Sequence, residues 1–402
     1  MATTEERIKM LPYATIQPSS LQVEVDVASS GAPEDYWISL YKTGHTSVHG
    51  RVHCRLVEGQ GLVREPRGVK VQEQGQGRDW LVTAPELDIN QLRLRRPVTA
   101  PSTWHPKRVE AFDFVPTSPD SAAYVSGSIN GSLRFGHASL YNGQASTSHE
   151  PRGHVSDLTS AQFFPSGDKV VLTTSLDTTA RLWNAETGSN PRTLKGHTRA
   201  ITGAALIPPQ GQQVLTSSLD STVRQWDLST GDELSKVDLG IDAPAGQIIL
   251  HPSDPNTAYV ALRTSKGAVA QLDLRTSQIV RRFEDSEAPV NALAVSHDGS
   301  RLLAGDQSGL CTLWDLASST VLQQWRRNDA AVLSVAATAK PEEWLVGGAD
   351  GLPYRVRACQ EELDVVEDFG CATEEEAEKI VRIVEKDGVV GVAGGKGVSL
   401  YA

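Results

Sequence analysis

The chain has 402 residues, 39% hydrophobic and 22% charged, with 38 basic and 49 acidic side chains and a net charge of −11. That composition fits a globular protein with one large domain and a smaller one. The acidic balance argues against nucleic acid as a partner, and no apolar run approaches the roughly 20 residues of a membrane span.

The first ten residues carry two acids and lack an apolar core, unlike a secretory leader. Four cysteines (Cys54, Cys311, Cys359, Cys371) show no CxxC spacing, which points to a reducing compartment, the cytoplasm or also the nucleus. Residues 1–86 hold short alternating runs, Val23–Val27, Asp35–Tyr41, Val52–Val57 and Val69–Val71, split by glycine and proline. They predict a small β-rich domain. In LDINQLRLRRP (87–97), Leu92 and Leu94 alternate with Arg93 and Arg95, the pattern of an edge strand with charges toward solvent. The prolines of 97–106 then mark a linker. Across 1–106 the 12 bases and 12 acids cancel, so residues 107–402 carry the whole net charge.

Within 107–402 one pattern recurs. Arg152–Asn184 and Lys195–Asp227 are two copies of it: His154 precedes Trp183 by 29 residues, as His197 precedes Trp226, and Asp177 and Asp220 each stand six before their tryptophan. Gly-His to Trp-Asp at a period of about 40–45 is the mark of a propeller blade. Trp314, in SGLCTLWDL, is a third strong match at the tryptophan position, and weaker ones fall at Gly136, Leu272, Val356 and Tyr401, so that the seven positions stand at intervals of 47, 43, 46, 42, 42 and 45. The sequence therefore predicts an all-β, seven-bladed WD40 β-propeller at 107–402, preceded by the small domain at 1–86 and a closing strand and linker at 87–106. Turns are expected at Pro165–Asp168, Pro208–Gln212 and His297–Gly299. Because the last strand ends at Tyr401, blade seven lacks an outer strand, which 87–97 is expected to supply. Trp104-His105 then stands in for Gly-His, with Val109 four residues on.

In each strong copy a hydrogen-bonded chain is expected, Asp177–His154–Thr173–Trp183 and Asp220–His197–Thr216–Trp226. Its recurrence makes it structural rather than a hydrolytic triad. GVVGVAGGKGVS (388–399) lacks the spacing of a phosphate loop, and His49 and His53, whose i, i+4 spacing would suit a helical metal pair, fall in a region that reads as strand. No catalytic, cofactor or metal site is expected. The acidic residues form the candidate site: Glu284, Asp285, Glu287 and Asp306 in blade five, Asp329 and Asp350 in blade six, and Glu374, Glu375, Glu376 and Glu378 in blade seven. All are expected on one sector of one face, with Arg326, Arg327 and Lys379 diluting it. The last 43 residues alone hold 11 acids against 4 bases, a field suited to a basic partner.

RGHVSDLTSAQFFPSGDKVVLTTSLD, and above all Phe163-Phe164-Pro165-Ser166-Gly167, resembles the proteasomal ATPase-associated factor family. Similarity continues through KGHTRAITGA and LTSSLDSTVRQWD, and more faintly in Trp37-Ile38-Ser39, Ser47-Val48-His49-Gly50 and GGKGVSLYA. Blades one, four, six and seven depart from it by lacking Trp-Asp. The resemblance implies a chaperone, monomeric on its own, that binds an ATPase subunit of the proteasome regulatory particle and holds back its docking on the core particle. The basic C-terminal domain of that subunit would meet the acidic face. The alternative is a general WD-repeat scaffold or a ubiquitin-ligase substrate receptor with a basic or aromatic central mouth.

Overall fold

The structure, a computed structural model, describes residues 8–17, 20–74, 79–97, 105, 108–140, 144–209, 211–286, 288–360, 362–370, 379–395 and 397–401. Seven antiparallel sheets follow one another from Val109 to Tyr401, each meandering from an inner strand outward. Their inner strands are Val109–Ser118, Leu158–Phe163, Ile201–Ile207, Ala245–His251, Val290–Val295, Val332–Ala337 and Ile380–Lys386. The architecture is an all-β propeller. Expected turns fall where glycine permits reversal, as at Gly299, whose φ is +72°.

Seven apolar clusters fill the seven junctions between blades. Phe135, Phe163 and Trp183 join blades one and two, and Leu194, Ile201 and Trp226 join blades two and three. At the closure, Phe112 and Phe114 of blade one pack on Val398 and Leu400 of blade seven. Small residues such as Gly203, Ala204 and Ala205 occupy the inner strands because neighbouring backbones converge on the axis. A Cβ on Gly203 would stand 3.0 Å from the backbone nitrogen of Ile248 in the next blade.

A belt of side-chain to backbone hydrogen bonds reinforces this packing. Phe163 N–H donates to Asp113 Oδ2 (2.9 Å) between blades one and two, and Gln162 Nε2 donates to Ala204 O (2.8 Å) between two and three. Thr202 Oγ1 donates to Ala245 O (2.8 Å), Leu293 N–H to Gln247 Oε1 (2.8 Å) and Asn291 Nδ2 to Val332 O (3.1 Å) around the next three junctions. Ile383 N–H donates to Ser334 Oγ (3.0 Å), and Lys386 Nζ closes the circle on Asp113 Oδ1 (2.7 Å).

The N-terminal region differs from expectation in three respects. Val23–Val27 lies in a helix, Ser20–Ser30, rather than a strand. Five alternating residues also place Val23 and Val27 one helical turn apart, and both are buried. Glu24 then faces inward, where Arg64 Nη2 (2.8 Å), Arg96 Nη1 (2.8 Å) and the Tyr36 hydroxyl (3.0 Å) donate to its carboxylate. Tertiary contacts thereby override the β preference of valine. The helix packs on a sheet of Tyr13–Ile16, Glu34–Tyr41, Val48–Val57 and Gly61–Arg67.

The expected closing strand lies elsewhere. Ile89–Arg95 runs parallel to Leu363–Phe369, the outer strand of blade six, and antiparallel to Asp79–Ala84. It is an internal strand of a seven-stranded sheet that continues to Lys70–Gln74, so residue 86 falls inside one sheet rather than at its edge. The acids opposite explain the choice. Arg93 bridges Asp79 and Glu367, and Arg355 extends the network from Glu367 (2.9 Å) to Glu385 of blade seven (3.2 Å). Arg95 is buried, where solvent-facing charge was expected. Blade seven's last strand, Gly397–Tyr401, offers no acid to pair with these arginines. It shows three strands among the described residues, and its closure on blade one comes from packing, Asp113 and the bond from Val109 N–H to Gly395 O.

The third difference is an added edge. Ile8–Met10 pairs in parallel with Gln324–Arg326, the outer strand of blade five. Beside it, a buried pair of Arg327 and Asp368 is clamped: Asp368 Oδ2 accepts Ala14 N–H (2.6 Å), and the guanidinium lies over the rings of Tyr354 (4.5 Å) and Tyr13 (5.1 Å).

Candidate functional site

The two strong repeats build the same polar chain. In blade two, Trp183 Nε1 donates to Thr173 Oγ1 (2.7 Å), Thr173 Oγ1 bonds His154 Nε2 (2.8 Å), and His154 Nδ1 bonds Asp177 Oδ2 (2.8 Å). In blade three, Trp226, Thr216, His197 and Asp220 repeat it at 2.8, 2.8 and 2.9 Å. The glycine before each histidine is needed for close approach: a Cβ on Gly153 would stand 2.7 Å from the Trp183 ring, and one on Gly196 2.9 Å from Trp226.

Burial lowers the pKa of His197 more than Asp220 raises it, so the ring is neutral at pH 7. Nδ1 then donates to the carboxylate and Nε2 accepts from the threonine. Burial works to raise the pKa of Asp220, but donors from Thr222, Thr198 and His197 prevail and hold it at about 2. The same balance depresses Asp177. Both histidine side chains are wholly buried, so these sets cannot reach a substrate. They satisfy one another inside the blade. Among the described residues, no group of three or more His, Cys, Asp or Glu side chains is placed to hold a metal, and Cys54, Cys311 and Cys359 are free thiols.

Among the described residues, only part of the expected acidic sector is exposed. Glu284 and Asp285 are exposed in the loop between blades four and five, and Asp329 is exposed between blades five and six. Asp306 is buried at 2% exposure because its carboxylate organises its own turn, accepting from Ser286 Oγ (2.6 Å), Ser308 N–H (2.8 Å) and Leu310 N–H (2.9 Å). Asp350 is half-buried and likewise engaged, by Asn328 Nδ2 (2.7 Å) and Leu352 N–H (3.1 Å). Glu287, Glu374, Glu375, Glu376 and Glu378 lie outside the described residues, as does Trp104; His105 is buried. Arg327 is committed to Asp368 and Arg326 approaches Asp329 at 4.0 Å.

The alternative reading expected a basic or aromatic central mouth, but the sequence singled out no residue for it. A cavity of about 470 Å³ opens on the axis, lined by the starts of the inner strands. Its cations are Arg108, Arg263, Lys379 and Arg382, against Glu110 and Asp157. Arg108 and Lys379 share Glu110. Arg263 and Arg382 have no ion-pair or side-chain hydrogen-bond partner among the described residues. Burial lowers the pKa of Arg382, with Asp113 acting against it. Arg108, Arg263 and the Lys379/Arg382 pair are far apart in the sequence, so only the sevenfold placement of inner-strand starts could have brought them together.

Fold and tetrads define a WD40-repeat β-propeller, a class that works chiefly as a protein-interaction platform. Residues 145–184 and 188–227 match the family model described as WD domain, G-beta repeat, and residues 256–360 match that of the Vps8 beta-propeller. Each matched repeat begins at or just before the outer strand of one blade and ends in the third strand of the next, so consecutive repeats interlock around the ring. No curated protein matches the chain. No helix among the described residues is long and apolar enough to cross a membrane.

Proposed function

We propose that this protein is a non-catalytic scaffold that acts as an assembly chaperone, capturing an ATPase subunit of the proteasome regulatory particle through that subunit's basic C-terminal domain. The observation that carries the reading is the exposure of Glu284, Asp285 and Asp329 on two consecutive inter-blade loops of one face, taken together with the family resemblance of the second blade's sequence. Complementary charge would steer the encounter and fix its register, and no bond chemistry is required. Pull-down against the isolated C-terminal domains of the ATPase subunits at low salt tests this. One of them is expected to bind, and failure of all of them overturns the assignment.

A second reading, a ubiquitin-ligase substrate receptor that takes a peptide at its central mouth, is favoured by one observation: Arg263 and Arg382 line the channel with no ion-pair or side-chain hydrogen-bond partner among the described residues. It predicts binding that Glu284→Lys leaves untouched.

A further inference from the structure

We propose that the channel mouth, with the loops of blades two to four around it, binds a protein segment in which a carboxylate side chain is flanked by apolar residues. The inference rests on the scaffold reading and gives chemistry to its second form, but it is independent of the acidic loops of blades five and six.

Two independent features converge on one face. The first is charge. In a chain of net −11, the mouth gathers four cations against two acids, and the local acids are already engaged. Glu110 serves Arg108 and Lys379, and Asp157 Oδ1 accepts Asn130 N–H (2.9 Å). The two cations left over therefore have donors to spare. Arg263 is exposed just beyond the second strand of blade four, and Arg382 is half-buried on the inner strand of blade seven. A half-buried guanidinium gains most from an anion that enters the channel, since a desolvated pair is screened less than a surface one.

The second feature is apolar exposure. Val155 is 83% exposed in the loop leading into blade two, Leu176 is 40% exposed beyond that blade's second strand, and Ile241 is 98% exposed in the loop leading into blade four. Loops into inner strands and turns after second strands share one end of a propeller, the end at which Arg263 and Lys379 also lie. A free inorganic anion has no use for this apolar rim. A peptide does, with the apolar side chains on the rim and the carboxylate in the channel. The polar inner wall is mostly committed to the belt, through Gln162, Thr202 and Asn291, which leaves the arginines as the donors for an entering group.

The test is fluorescence anisotropy with the full chain and a short labelled peptide of alternating leucine and glutamate. A leucine–glutamine peptide of equal length is the control. Saturable binding of the acidic peptide is expected, weakened at least about tenfold by Arg263→Glu, the scale of losing one partner of a close charge pair. Arg382→Gln and Ile241→Ser are expected to weaken it too, with thermal melts confirming the fold of each variant. Glu284→Lys should leave the peptide affinity unchanged while reducing capture of the ATPase domain, which separates the two readings. Absence of binding by the wild-type chain, equal binding of the glutamine control, or wild-type affinity in folded Arg263→Glu overturns the proposal.

Discussion

Replacing Asp113 with alanine removes a group that ties blade one to both of its neighbours. Its carboxylate, nearly buried, accepts Phe163 N–H from blade two and the Lys386 ammonium from blade seven, and also Phe114 N–H. Without it, the Phe163 amide stays in a closed junction with no acceptor, a loss of about 1–3 kcal/mol. Lys386 is one-third exposed, at 33%, and recovers water, so its share is about 0–1 kcal/mol. The total is about 1–4 kcal/mol. The effect should concentrate where blade seven meets blade one, because no shared strand reinforces that junction among the described residues. Urea unfolding gives the magnitude, and hydrogen exchange along Val109–Phe114 and Ile380–Lys386 gives the location. Asn291→Ala, which removes one belt bond between blades five and six, is the comparison, expected at about 1 kcal/mol. If Asp113→Ala shifts the midpoint no further than Asn291→Ala and leaves exchange in Ile380–Lys386 unchanged, the belt is not what closes the ring.

Trp226→Ala should destabilise by about 3–5 kcal/mol, as expected for a buried aromatic truncation, and an unchanged thermal melt would contradict its placement. Gly196→Ala should destabilise by about 1–3 kcal/mol through overpacking on the Trp226 ring, read in the same melt. Asp220, held at about 2 when folded against about 3.9 unfolded, contributes about 2–3 kcal/mol that is fully present above about pH 4 and lost as pH falls toward 2. His197, lowered by burial, adds a contribution present above its unfolded pKa of about 6.5 and lost as pH drops through its folded value. Melts from pH 7 to 2 should show both losses, and Asp220→Asn should flatten the acid limb. Arg327→Ala strands the Asp368 carboxylate in the interior and should cost about 3–5 kcal/mol in urea, whereas Arg326→Ala, with a partly exposed side chain, should cost no more than about 1 kcal/mol.

The repeat was legible because its chemistry is local. Gly153, His154, Asp177 and Trp183 recur at the spacing of a single blade, and each is explained by contacts made inside that blade. Strands with long alternation, such as Asp35–Tyr41, could be read for the same reason. What depended on distant partners could not. Val23–Val27 carries equal support for strand and helix until Arg64 and Arg96 arrive to receive Glu24. Arg93 and Arg95 resemble an edge pattern until Asp79 and Glu367 are placed beside them. Asp306 looks like surface acid, yet the backbone of its own turn consumes it, a contact that spacing from the tryptophan does not disclose. The channel cations come from three different blades, one, four and seven, and no single repeat discloses that they meet.

The proposed role is capture of a partner through the face that carries the exposed acids. Calorimetric titration of the full chain with the isolated C-terminal domains of the regulatory-particle ATPases tests it most directly. One domain is expected to bind at low salt, more weakly as salt rises, and more weakly again when Glu284, Asp285 and Asp329 are changed to lysine. Heat of binding absent for every domain, or an affinity indifferent to those three substitutions, would contradict it.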